Sequence, residues 1–100
     1  MRPYSHPPAG DFLLERVLYA LSDPIRLHIV RHLAQLGPAT SGELDGGRPK
    51  STMSHHFKVL REAGLVLTEI SGTRHINTLR RHDLATRFPG LLDAILMQAD

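Results

Sequence analysis

The sequence predicts a mainly α-helical domain with a β-hairpin wing: a winged helix-turn-helix, assembled as a dimer. Three observations predict it. The stretch Pro49 to Val66 has the period of an amphipathic helix whose polar side is rich in donors and positive charge. A short capped helix and a Gly46-Gly47 turn precede that stretch. Two β-like runs joined by Ser71-Gly72-Thr73 follow it.

Residues 1–10, MRPYSHPPAG, read as a flexible, proline-rich arm, and residues 11–100 as the domain. Asp11 is placed to cap a first helix running to about Leu21, with Phe12, Leu13, Val17, Leu18 and Leu21 on its apolar side. Asp23 in a cap position and Pro24 at the first helical position start a second helix, Ile25 to Leu36. That helix is apolar on two sides, as expected of the centre of the domain, and Gly37-Pro38 ends it. Thr40 and Glu43 have capping-box spacing, so a short helix begins there and stops at Gly46-Gly47.

The recognition helix spans 50–63. At about 100° per residue, Met53, His56, Phe57, Val59, Leu60 and Ala63 share one arc, and Ser51, Ser54, His55, Lys58 and Arg61 the opposite one. Gly64 closes it. The wing spans 66–79, as runs Val66–Ile70 and Arg74–Leu79. A helix opens at Arg80-Arg81-His82-Asp83 and breaks at Phe88-Pro89-Gly90. Leu91, Leu92, Ile95, Leu96 and Met97 form a last apolar helix.

Charge singles out one element. From Gly46 to Arg61 there are four basic residues (Arg48, Lys50, Lys58 and Arg61) and no acidic one, whereas the whole chain carries a net +2. A helix that meets phosphates has this footprint. The remaining composition excludes other classes. With 41% apolar residues the chain is globular. No apolar run approaches the ~18–20 residues of a membrane span. The arm lacks the apolar stretch of a secretory signal, and there is no cysteine, so a cytoplasmic protein is expected. No cysteine nucleophile or phosphate-binding glycine loop is present, since Pro49 intervenes between Gly46-Gly47 and Lys50-Ser51. No enzyme and no cofactor are expected.

The side chains on the exposed arc suit nucleic acid. Hydroxyl, imidazole and guanidinium groups read base edges, and ammonium groups hold phosphate. Lys50, Ser51, Thr52, Ser54, His55, Lys58 and Arg61 are the candidate DNA contacts on the helix, with Arg74 and His75 at the wing. His56 lies at the edge of the apolar face and is expected to be structural, bonded to backbone. His28 and His32 have i, i+4 spacing, with His6 in the arm as a conceivable third ligand; solvent-facing side chains are expected there, and no metal site. Phe12, Leu13, Leu91, Leu92, Ile95 and Leu96, at the apolar ends of a domain that already has a core, are the expected homodimer interface.

Two motifs carry a family resemblance. Leu21-Ser22-Asp23-Pro24-Ile25-Arg26-Leu27 and Ser54-His55-His56-Phe57-Lys58-Val59-Leu60-Arg61-Glu62-Ala63-Gly64-Leu65-Val66 resemble the ArsR/SmtB transcriptional regulators. The resemblance covers roughly Phe12 to Leu79. It implies a winged-helix homodimer that binds double-stranded operator DNA and is often released by an effector. The matching positions are Ser54, His55, His56, Lys58, Arg61 and Gly64 in the helix, and Gly72 and Arg74 in the wing. The family's cysteine motif is missing from the short helix, Ser41-Gly42-Glu43-Leu44-Asp45. Its terminal zinc-binding pairs are missing as well, since His82, Asp83 and Asp93 have no later histidine beside them.

The expectation is therefore a sequence-specific transcriptional regulator, a repressor, binding DNA as a homodimer without the family's metal sites and with no identified effector. Two alternatives stand beside it. One is a winged-helix module whose helix packs on a protein partner. The other is a metal-responsive repressor using the histidine pair.

Overall fold

The computed structural model describes residues 3–98. The first two residues of the expected arm and the last two of the domain lie outside them. The helices are α1 (Leu14–Leu21), α2 (Pro24–Leu36), α3 (Ser41–Leu44), α4 (Lys50–Ala63), α5 (Arg81–Arg87) and α6 (Leu91–Leu96). The strands are β1 (Ala39–Thr40), β2 (Val66–Ser71) and β3 (Arg74–Leu79), in the order β1-β3-β2, all antiparallel.

The local start signals act as their chemistry predicts. The Asp23 carboxylate accepts from the Ile25 and Arg26 N–H groups at 2.8 and 3.1 Å, with Pro24 in the first turn of α2. Thr40 and Glu43 form the reciprocal capping box, each side chain accepting from the other's backbone N–H at 3.2 Å. The first helix starts differently. Asp11 lies in a 3-10 turn (Ala9–Asp11) and caps nothing, and α1 begins only at Leu14.

Phe12 lies between that turn and α1, and its ring drops into the core at 1% exposure. Gly64 forms one wall of its site, and the Arg80 guanidinium stacks on the ring at 4.8 Å. Burying Phe12 aligns α1 so that Val17, Ala20 and Leu21 point inward. They meet Ile29, Val30 and Leu33 of α2 and the Met53, Phe57, Leu60 and Ala63 stripe of α4. This repeat at three and four residues is the apolar arc read from the sequence.

Two expected interface residues are thereby corrected. Phe12 and Leu92 are core residues of the single chain, at 1% and 6% exposure, because the aromatic ring and the inward side of α6 fill space within it. Leu91, Ile95 and Leu96 are half-buried against the same core, and Leu13 stays exposed. The apolar surface of α1 is instead Leu13, Leu14 and Leu18, each close to half exposed.

The sheet has a polar stitch at its centre. Thr68 and Asn77 face each other across β2 and β3, and the Thr68 hydroxyl donates to Asn77 Oδ1 at 2.7 Å. Asn77 Nδ2 donates onward to the Ser41 hydroxyl at 3.0 Å and the Ala39 carbonyl at 3.4 Å. The wing is thus fixed to β1 and the start of α3. Asn77 is fully buried, and its amide is satisfied by these contacts.

Candidate nucleic-acid interface

Helix α4 starts at Pro49 with no side-chain cap. It ends with Gly64 at φ 92, whose N–H donates to the Arg61 and Leu60 carbonyls. Between them Lys50, Ser51, Thr52, Ser54, His55 and Lys58 are all exposed, so the polar arc faces solvent as its period requires. Arg74 is exposed at the wing.

A cleft of about 450 Å³ separates the helix from the wing. It gathers Lys50, Ser54 and Arg61 from α4 and Arg74 and His75 from the wing, with Ser41 of α3. Asp45 also lines it, and its carboxylate accepts from the Gly47 N–H at 2.8 Å, holding the turn before α4. Ser51, Thr52, His55 and Lys58 lie outside the cleft, farther out on the helix.

The helix is aimed by a buried cluster that its sequence pattern does not reveal. Arg26, only 4% exposed, donates through Nε to the Ala20 carbonyl at 2.8 Å and through Nη2 to the Tyr19 carbonyl at 3.3 Å. It thus closes the C-terminal end of α1, where carbonyls lack helical partners. Its Nη1 lies 3.2 Å from His56 Nδ1. Arginine has no acceptor, so Nδ1 accepts and the His56 proton resides on Nε2. His56 is structural, as expected, but its partner is a side chain on α2 rather than backbone.

Burial, foremost, pulls the His56 imidazole below its ordinary value of 6.5; Asp23 opposes this, and the Arg26, His55 and Arg48 charges add to it. The Asp23 carboxylate, 3.9 Å from Nδ1, is pushed up by burial but held lower overall by the Arg26 and Ile25 N–H groups. A neutral His56 therefore accepts from the arginine, and the Asp23 contact is not an ion pair.

The arm departs from expectation. Its residues 4–7 are anchored, because three side chains of the folded domain meet groups on it. His6 Nε2 accepts from the Thr68 N–H at 2.9 Å, and the Pro7 carbonyl accepts from Arg80 Nη1 at 2.7 Å. The Tyr4 hydroxyl lies 2.7 Å from His75 Nδ1, and the Tyr4 ring lies under the Arg61 guanidinium at 4.1 Å. Two expected DNA contacts, Arg61 and His75, are consequently half-buried rather than fully exposed. Burial lowers the Arg61 guanidinium from its usual value, although arginine stays charged in proteins. His6 is committed to the sheet and does not join His28 and His32. Among the described residues no three potential ligands converge on a metal position, and no helix is long and apolar enough to cross a membrane.

Comparison with known proteins agrees with this geometry. A helix-turn-helix domain family matches residues 21–69, from the end of α1 into the wing. The chain is 36% identical over 90 residues to YceK of Bacillus subtilis, an uncharacterised HTH-type transcriptional regulator, covering 87% of this chain and 90% of that one. The transcriptional repressor BigR from Xylella fastidiosa has a similar structure, with TM-score 0.66 at 30% identity, over 87% of this chain and 88% of that one. A solved ArsR family transcriptional regulator shares the fold at TM-score 0.69 and 23% identity, over 81% of this chain and 90% of that one. With its capped central helix, its exposed cationic arc and its wing, the chain belongs to the ArsR/SmtB family of winged helix-turn-helix, DNA-binding transcriptional regulators.

Proposed function

We propose that this regulator is a repressor that binds operator DNA as a homodimer, with α4 in the major groove and the wing on the flanking backbone. The observation that carries this reading is the outward arc of Ser51, Ser54, His55 and Lys58 beside a cleft lined by Lys50, Arg61 and Arg74. The arc offers groups that discriminate base edges, and the cleft offers cations that hold phosphate. Homodimerisation is supported by Leu13, Leu14 and Leu18, large apolar side chains left exposed at the start and along the outer side of α1. In a symmetric dimer the two reading helices meet half-sites about one DNA turn, ~34 Å, apart. No metal is assigned: cysteine is absent from the sequence, and His28 and His32 are the one pair at chelating spacing on a helix.

The test is selection from a random-sequence duplex pool, followed by titration of the selected duplex against salt. A palindromic consensus and a steep loss of affinity with salt are expected. Binding that stays at the non-specific level would instead favour a winged-helix module with a protein partner. Placing the selected site upstream of a reporter distinguishes repression from activation.

A further inference from the structure

We propose that the N-terminal arm is a working part of the DNA-binding surface: Tyr4 ties the wing to the reading helix and holds Arg61 ready for a backbone phosphate. This rests on the DNA-binding mode proposed above. Arg61 comes from the last turn of α4 and His75 from β3, and no hydrogen bond joins these two side chains directly among the described residues. Tyr4 contacts both. Its ring lies 4.1 Å from the Arg61 guanidinium carbon, and its hydroxyl bonds His75 Nδ1 at 2.7 Å, with the two rings edge to face at 5.6 Å.

The stacking leaves Arg61 able to bind an anion. A ring under a guanidinium covers its face, while all five N–H donors point outward in its plane. Among the described residues no carboxylate forms an ion pair with Arg61, and no buried side-chain nitrogen lacks a partner, so its unpaired nitrogens reach solvent. Asp45, the acid of the same cleft, is turned to the Gly47 N–H. A half-buried guanidinium held in one orientation binds a phosphate oxygen pair with less loss of side-chain freedom than a free one. Lys50 and Arg74, on the same cleft, supply further positive charge.

The arm is anchored well enough to perform this role. His6 and Pro7 bond to Thr68 and Arg80, so Tyr4 is tethered two residues from a fixed point rather than placed by its own contacts alone. The alternative is that Tyr4 masks Arg61 and must leave before DNA binds. The two predict opposite signs.

The test uses the full chain and the duplex that the parent protein selects from a random pool, titrated by fluorescence anisotropy. Tyr4→Ala should bind about threefold to tenfold more weakly, with a shallower dependence on salt, and its urea unfolding should stay near the parent's. Tyr4→Phe keeps the stack and loses the hydroxyl, and should fall between Tyr4→Ala and the parent. Arg61→Ala should abolish most of the effect of Tyr4→Ala, so the double variant binds much like Arg61→Ala alone. Parent-like or tighter binding by Tyr4→Ala would overturn the proposal, as would strictly additive losses in the double variant. If the parent selects no duplex at all, the DNA-binding mode itself falls and this inference falls with it.

Discussion

Gly64 meets two demands at one position. Its φ of 92 places it in the left-handed region that ends α4, and a Cβ there would sit 2.3 Å from Cε1 of Phe12. Gly72, at the wing turn, has φ 63 but open space around it. Gly64→Ala combines backbone strain with overpacking and should cost roughly 2–5 kcal/mol, against about 1–2 kcal/mol for Gly72→Ala. Urea unfolding of the two variants checks this; equal losses would remove the packing half of the argument. Titration also acts at single residues. His56 is held below its ordinary 6.5, mainly by burial, and His6 is held below it by burial and then by Arg80 and Arg61. The folded state therefore binds these protons less readily than the unfolded one. The stability contributed is complete above pH 6.5 and is lost as pH falls through the lower folded values. The thermal unfolding temperature should hold level from pH 7.5 to about 6.5 and fall from there to pH 5. His56→Asn, whose Oδ1 replaces Nδ1 as acceptor for Arg26, should flatten that slope.

Most elements announce themselves through signals confined to a few neighbouring residues. Asp23-Pro24, the Thr40/Glu43 box, Gly64 and Phe88-Pro89-Gly90 each act within about one helical turn, and so were legible without tertiary information. What the sequence hides is set by long-range contact. Strand β1 has two residues, too few for any period, and forms because β3 offers it an edge at Asn77 and Ile76. Phe12 has the spacing of a helix side chain, but its burial against Gly64 keeps it outside α1. Arg26 falls in the first turn of the helix read from Asp23-Pro24, but its burial shows only once the carbonyls ending α1 are placed around it. The exposed polar arc of α4 was legible because it follows from period alone; its junction with the wing through Tyr4 was not, since those residues lie 57 and 71 positions from Tyr4 in the chain. At this scale Lys58→Ala should weaken binding to all duplexes alike and reduce the salt slope by about one. Ser54→Ala and His55→Ala should weaken the selected site more than random DNA, by about 1–3 kcal/mol for any side chain that pairs well with a base. Anisotropy titrations of both duplexes separate the two behaviours.

The molecule measures 35 × 30 × 21 Å and carries one α4, so one copy presents a single helix to DNA. In the proposed homodimer, pairing through α1 would supply the second. Leu18→Glu, on the exposed side of α1, should leave the fold intact and shift sedimentation at micromolar concentration to the 11.1 kDa monomer, with loss of tight binding to a palindromic site. A Leu18→Glu protein that still sediments as a dimer would move the interface elsewhere. A last consequence follows from where the arm lies. Strand β2 is the outer strand of the sheet, and the Thr68 N–H points away from β3 into the His6 ring. An uncovered outer strand is a template on which a second chain can add its own backbone. The segment that meets it at Thr68 contains Pro3, Pro7 and Pro8, which have no N–H to offer a further strand. The same few residues that brace the proposed reading surface thus occupy one outward N–H of β2 without adding a strand, which blunts this edge against strand addition.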